Sequence, residues 1–317
     1  MRTVVYGLGA IGLLLFSALF SLLPRSWAHR VGRGIGDAAY VLSLRSRRTA
    51  LENLRQRLGV SGKKARRIAL RSIELAGASI VDMLRAPRMS DRVLERDIAI
   101  DDPARAVLDD LRRPGRGAVV AIAHSASWEM LFLAGPFLAR RKSLIVVRPP
   151  PYPFVPRVLR WLRSRTGQTV IYRSGAVGRT FDFVREGGVA WLMVDVNVPP
   201  QSALRVPFFG LPTCTTFAPA HIARTADVPL YFGCLMPERG SRCRLFLERI
   251  APGDVEAMTE EVSRALERRI RGCPEGWAWW SKRWNIRPAD VTEGWPSYSK
   301  DERRYLPGGK VRPDPEI

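Results

Sequence analysis

A chain of 317 residues with 46% hydrophobic side chains is too apolar for a disordered polypeptide and long enough for one catalytic-sized unit with appendages. Its 51 lysines and arginines face 30 acids, a formal charge of +21, which points to anionic partners: nucleic acid, anionic lipid headgroups or an acidic carrier protein. Three histidines, and four cysteines (Cys214, Cys234, Cys243, Cys273) without C-x-x-C spacing, argue against a zinc site and for a reducing cytoplasmic setting.

The first element is Val4 to Leu23, twenty residues without a charge. Gly7, Gly9 and Gly12 within it match G-x-G-x-x-G, but a dinucleotide site needs a buried strand before the glycines and an acid about twenty positions on. Only Val4 to Tyr6 could form the strand, and the first acid is Asp37. The run reads instead as a helix of roughly 30 Å, enough to span or embed in a bilayer. The following LPRSWAHR lacks the small residues of a signal-peptide cleavage site. Arg25, His29, Arg30 and Arg33 follow and, by the positive-inside rule, put the rest of the chain on the cytoplasmic side. Residues 1–35 are therefore expected to be an apolar membrane anchor with a basic flank.

Trp27 to about Arg85 carries apolar residues at helical spacing among many arginines. Beyond Pro114 the pattern changes. Gly117–Ala123, Ser143–Val147, Val189–Asp195, Val228–Leu235 and Cys243–Ile250 predict strands, and the first three are nearly all apolar, as in strands covered on both faces. Helical stretches lie between them at Trp128–Arg141, Phe154–Arg165 and Val177–Arg185, with a late amphipathic helix at Val255–Arg271. This alternation predicts an α/β domain over 36–295, with a mixed, mainly parallel sheet flanked by helices. Residues 296–317 read as a polar tail.

His124 follows the first strand, where open α/β sheets bind ligands. Ser125 or Ser127 is placed to cap the next helix, with Glu129 in its early turns. Five residues along a regular helix would separate two side chains by about 140°, so a His124–Glu129 pair requires the histidine to lie in the loop. A neutral imidazole with a pKa of about 6.5 accepts a proton at neutral pH, and a carboxylate on its other nitrogen fixes the tautomer. A serine-hydrolase reading fails for want of G-x-S-x-G, and a kinase reading for want of G-x-x-x-x-G-K-S/T. His221 reads as structural.

At this point the chain resembles the bacterial lipid A late acyltransferases (lauroyl and myristoyl transferases) within the lysophospholipid acyltransferase superfamily, from about Pro24 to Pro288. HSASWE at His124–Glu129 resembles the H-x-x-x-x-D/E block. RPP at Arg148, RTG at Arg165 and IYR ending at Arg173 resemble the arginine-bearing segment after it. GGVAWLMVD ending at Asp195 and VPFFGLPTCTT at Val206–Thr216 are similar to the next two blocks, and WAWWSKRW at Trp277–Trp284, with Arg287 and Pro288, to the last. The chain departs from the family at Val196, where glutamine is usual, at Ser281, where histidine is frequent, and at Tyr152, where asparagine is common. Phosphatidylinositol mannoside acyltransferases are the competing relatives, and their usual Asp in the first block favours the lipid A side for a chain with Glu129.

The resemblance implies a glycerolipid acyltransferase-like fold and transfer of a fatty acyl group from acyl carrier protein or coenzyme A to a glycolipid hydroxyl, most readily a lipid A precursor. It implies His124 as general base with Glu129 as its support, and neither metal nor cofactor. Arg173 is the candidate for a substrate phosphate or carboxylate, and Asp195, Arg148 and Ser127 are further candidate substrate contacts. Phe208, Phe209 and Gly210 read as packing and turn residues, and Trp128, Leu131, Phe132, Trp277, Trp279 and Trp280 supply an apolar groove. The expected setting is the cytoplasmic face of the inner membrane, with an anionic lipid surface as partner and no nucleic acid. A non-catalytic, basic binder of anionic lipid or nucleic acid is the alternative class; it accounts for the charge but not for the placing of the His-Glu pair.

Overall fold

The computed structural model describes residues 2–150, 155–198 and 202–284, with side chains from residue 9 onward. Tyr152, Arg287, Pro288 and the expected tail over 296–317 lie outside them. The chain opens with four helices, α1 (Arg2–Leu22), α2 (Arg25–Leu42), α3 (Leu44–Leu58) and α4 (Gly62–Leu84). The long helical stretch expected from Trp27 to Arg85 is thus three helices. It breaks at Ser43 and again at Gly59, whose φ of 65° suits a residue without a Cβ.

Gly32 and Gly36 of α2 face Gly77 of α4 so closely that a Cβ on Gly77 would meet the carbonyl oxygen of Gly32 at 2.1 Å. Small residues bring these two backbones into contact.

Among the described residues no helix is long and apolar enough to cross a membrane, so the N-terminal membrane anchor, expected either to span or to embed, is not supported as a span. Glycines and serines dilute the apolar run of α1, and one of its sides is occupied by protein. Ser17 donates to the carbonyl of Leu84 at 2.6 Å, and Arg85 donates to the carbonyls of Phe20 and Leu23. The opposite side, with Ile11, Leu15, Phe16, Leu19 and Leu22, is exposed.

After α5 (Asp91–Asp97), β1 (Ile98–Ala99) and α6 (Asp102–Leu111) come β2 (Ala118–Ile122), α7 (Trp128–Ala139), β3 (Ser143–Val147), α8 (Val155–Ser164), β4 (Gln168–Tyr172), α9 (Ala176–Arg185) and β5 (Val189–Met193). The chain continues through β6 (Ala203–Phe208), β7 (Leu211–Thr216), α10 (Ala218–Thr225), β8 (Leu230–Pro237), β9 (Cys243–Arg249) and α11 (Val255–Gly272). Seven strands form one sheet in the order β1-β9-β8-β2-β5-β3-β4, parallel except where β9 runs against β8. This is the expected mainly parallel sheet flanked by helices.

Strand β2 shows why these runs are nearly all apolar. Val119 and Ala121 enter one core, with α10, α11 and the tryptophans near 280; Val120 and Ile122 enter the other, with α6 and α7. Both faces are covered, so no polar residue is tolerated. The hairpin β6–β7 stands apart as a second sheet. Its two-residue turn is Phe209 and Gly210, with φ of 51° and 76°, the turn expected there.

Candidate active site

The site forms where β2 and β5 end. The two strands are parallel neighbours with Ile122 opposite Met193, and the amide of Val194 extends the ladder to the carbonyl of Ile122 at 2.9 Å. Two residues beyond each strand, His124 and Asp195 therefore emerge side by side. His124 Nδ1 lies 2.8 Å from Asp195 Oδ1. Oδ2 of the same carboxylate accepts the backbone N–H of His124 at 2.9 Å and the indole N–H of Trp277 at 2.9 Å.

The histidine side chain is 33% exposed and the aspartate 1%. One ring nitrogen is held from beneath, and Nε2 has no hydrogen bond among the described residues. Burial by itself pushes the imidazole towards its neutral form, but the Asp195 carboxylate and, behind it, the charge of Glu129 outweigh this and raise its pKa above the usual histidine value. Asp195 moves the opposite way. Burial would raise it, yet the charge and hydrogen bonds of His124, with the Trp277 N–H, hold it below the usual carboxylate range.

Glu129 does not carry the imidazole. Its carboxylate is buried and held by Arg163 of α8, from Nε at 2.9 Å and Nη2 at 2.5 Å. Once α7 starts at Trp128, Glu129 belongs to the helix and points towards α8, whereas His124 stays in the loop beside β5. The expected His124–Glu129 hydrogen bond is thereby replaced by His124–Asp195, and Glu129 acts on the ring only through its charge.

The serine expectations change for a similar reason. Neither Ser125 nor Ser127 supplies the side-chain cap of α7; the Glu129 N–H is bound instead by Ser79 of α4 at 3.1 Å. Ser127 is 4% exposed, and its hydroxyl accepts from Cys243 Sγ at 3.0 Å, so it faces the protein interior and is not placed to contact substrate. Ser125 pairs through its backbone with Trp277.

Arg148 and Arg173 follow β3 and β4, which lie in register with Val147 opposite Tyr172. Both are exposed. Along the sheet order they stand two and three strands from β2, about 10 and 14 Å at ordinary strand spacing. Both lie along the same edge of the sheet as His124 and Asp195.

Three residues that matter here were not singled out individually by the sequence reading: Arg163, Trp277 as a hydrogen-bond donor, and Arg283. Arg283 is 2% exposed. It donates to the carbonyls of Cys214 at 3.0 Å and Val196 at 3.3 Å and to Thr215 Oγ1 at 2.5 Å, tying the last block to the residue after Asp195. Burial, opposed by the charge of Asp195, lowers its pKa to about 10. Trp277, Trp279, Trp284, Phe208 and Phe209 pack as one aromatic cluster beneath it, Trp284 stacked on Phe208 at 5.6 Å. The described residues contain no group of His, Cys, Asp or Glu suited to a metal ion.

A buried acid, a partly exposed imidazole with one free nitrogen, and a row of cations along the same edge suit proton removal from a hydroxyl of an anionic substrate. Residues 1–286 match the family described as bacterial lipid A biosynthesis acyltransferase. The chain is similar to a lipid A biosynthesis lauroyltransferase of Escherichia coli (strain K12), 23% identical over 281 residues, 85% of this chain and 89% of the relative. It is also similar to the phosphatidylinositol mannoside acyltransferase of Mycobacterium tuberculosis (strain CDC 1551 / Oshkosh), 27% identical over 231 residues, 70% of this chain and 71% of the relative. The chain belongs to the bacterial lipid A biosynthesis acyltransferase family and is an O-acyltransferase.

Proposed function

We propose that this acyltransferase moves a fatty acyl chain from a thioester, of acyl carrier protein or coenzyme A, to a hydroxyl of a membrane glycolipid, a lipid A precursor in the first instance. The observation that carries the reading is the 2.8 Å bond from His124 Nδ1 to a buried Asp195 beside an open Nε2. Nε2 takes the hydroxyl proton, and the alkoxide attacks the thioester carbonyl. Backbone N–H groups near the start of α7 hold the oxyanion. The carbon–sulfur bond breaks as the ester bond stays, and the imidazolium returns its proton to the leaving thiolate. No acyl-enzyme intermediate and no metal is needed.

Asp195 holds the ring, and Glu129 stabilises the imidazolium at a distance while anchoring α7 to Arg163. Arg148 and Arg173 serve the anionic parts of the substrates. A mannoside-bearing phosphoinositide is the second acceptor, favoured by the higher identity to the mycobacterial relative.

The reading puts the chain at the cytoplasmic face of the inner membrane. Supporting this are the exposed apolar side of α1, the exposed Trp27, Val31 and Ile35 of α2, and the charge of +21, a combination suited to an embedded rather than a spanning attachment. The test is mass spectrometry of membrane lipids from cells with and without the gene, alongside His124→Ala. A lipid gaining one acyl chain only with the intact histidine is expected. Near wild-type transfer by the alanine variant overturns the mechanism.

A further inference from the structure

Between Leu44 and Arg71 the chain carries ten lysines and arginines and one acid, Glu52. The fold concentrates part of this charge in a recess of about 720 Å³ where α3 meets the start of α4, lined among others by Arg48, Arg55, Arg57, Arg66, Glu52 and Trp284. That size is typical of small-ligand sites. Glu52 balances little of the charge, because Arg55 already binds it at 2.8 Å.

Arg57 is the informative member. Its guanidinium stacks on Trp284 at 5.0 Å, and one terminal nitrogen donates to Gln56 at 3.0 Å. Its Nε, however, is shielded from solvent and has no hydrogen-bond partner among the described residues. Burial, only partly opposed by Glu52, disfavours its charge. A shielded guanidinium N–H without an acceptor calls for an anion. The start of α4, which also lines the recess, has no acid in its first turn.

We propose that this recess is a second ligand site, separate from the His124 centre, that binds a phosphate ester. The ester is either a lipid headgroup phosphate or the phosphate of a soluble cosubstrate. The inference goes beyond acyl transfer and does not depend on it. The recess is nonetheless connected to the centre: Trp284 packs on Trp277 at 5.9 Å, and the Trp277 N–H binds Asp195.

Isothermal titration calorimetry on the full chain in nonionic detergent tests it with three probes: inorganic phosphate, glycerophosphoinositol and coenzyme A. At least one is expected to saturate, with Arg57→Gln and Arg66→Gln each weakening it about tenfold or more, the loss of a charge-assisted bond. His124→Ala should bind as wild type, which separates this site from the catalytic reading. Preference for the inositol phosphodiester identifies a lipid headgroup, and preference for coenzyme A a soluble cosubstrate. Changes below about twofold in both glutamine variants, or displacement of every probe by chloride at matched ionic strength, overturn the proposal and leave only diffuse counter-ions. Should Arg57→Gln not fold, Arg48→Gln and Arg66→Gln, both at exposed positions, carry the same comparison.

Discussion

Asp195→Asn and Glu129→Gln separate the two carboxylates near His124. In the wild type, Asp195 Oδ2 accepts two N–H groups, from the His124 backbone and Trp277, while Oδ1 faces Nδ1. An asparagine must turn its only oxygen towards those two fixed donors, so its NH2 group faces Nδ1. That amide donates to the ring, the ring proton moves to Nε2, and the nitrogen facing the substrate can no longer accept. Turnover should fall by about 10²- to 10⁴-fold, the usual contribution of a positioned general base.

Glu129→Gln leaves the tautomer alone and should cost less than about tenfold in turnover. It removes the partner of Arg163, whose side chain is 11% exposed, and so should lower stability by about 3–5 kcal/mol. The assay is transfer of a radiolabelled acyl group to extracted lipid, with denaturant unfolding on the same preparations. If Glu129→Gln, still folded at the assay temperature, loses as much turnover as His124→Ala while Asp195→Asn keeps its activity, the assignment of the ring partner is wrong.

Further expectations follow from the same contacts. Because the base must be neutral and the pKa of His124 is raised, the acidic limb of kcat/KM should lie above that of an ordinary histidine, and Glu129→Gln should move it to lower pH. By linkage, protonated His124 stabilises the fold below about pH 6.5, and that contribution is lost as pH rises through the raised folded value. Asp82, completely buried, is depressed despite burial by Arg25, at 3.0 Å, and His29, at 2.7 Å. Its contribution is present above the unfolded value of about 3.9 and should be lost as pH falls below it, visible as acid unfolding. Gly77→Ala should cost at least about 1–3 kcal/mol by forcing α2 and α4 apart, measured by thermal unfolding. Arg283→Met strands the carbonyls of Val196 and Cys214 and should destabilise by roughly 1–3 kcal/mol, with a fall in kcat in the acyl-transfer assay.

The interior strands were readable because both their faces are covered: β3 has the expected bounds, and β2 and β5 sit inside theirs. The edge was not. In β4, QTVIY, only Gln168 is fully buried, so no apolar run marks it. The hairpin β6–β7 was hidden by Pro207 and Pro212, which sit opposite each other in its register and read as strand breakers. At the site, the position of His124 at a strand's carboxyl end was legible, and its partner was not. Sequence proximity favours Glu129, five residues away, over Asp195, seventy-one away, and strand order alone reverses that preference.

That reversal explains how the site is built. β5 is the fourth strand of the α/β run, yet the chain inserts it between β2 and β3, after passing through β4 at the edge. Parallel pairing in register then carries the two strands out of the sheet at the same height, so the acid and the imidazole meet two residues beyond the strand ends. A slip of one residue between β2 and β5 would send Asp195 to the other face of the sheet and leave a buried carboxylate without its three donors. The apolar alternation of the two strands forbids the slip, since it would also exchange Val119 and Ala121 with Val120 and Ile122 between two differently shaped cores. The geometry of the dyad is thus a consequence of core packing, and the polar residues at the edge inherit their precision from the valines and alanines behind them.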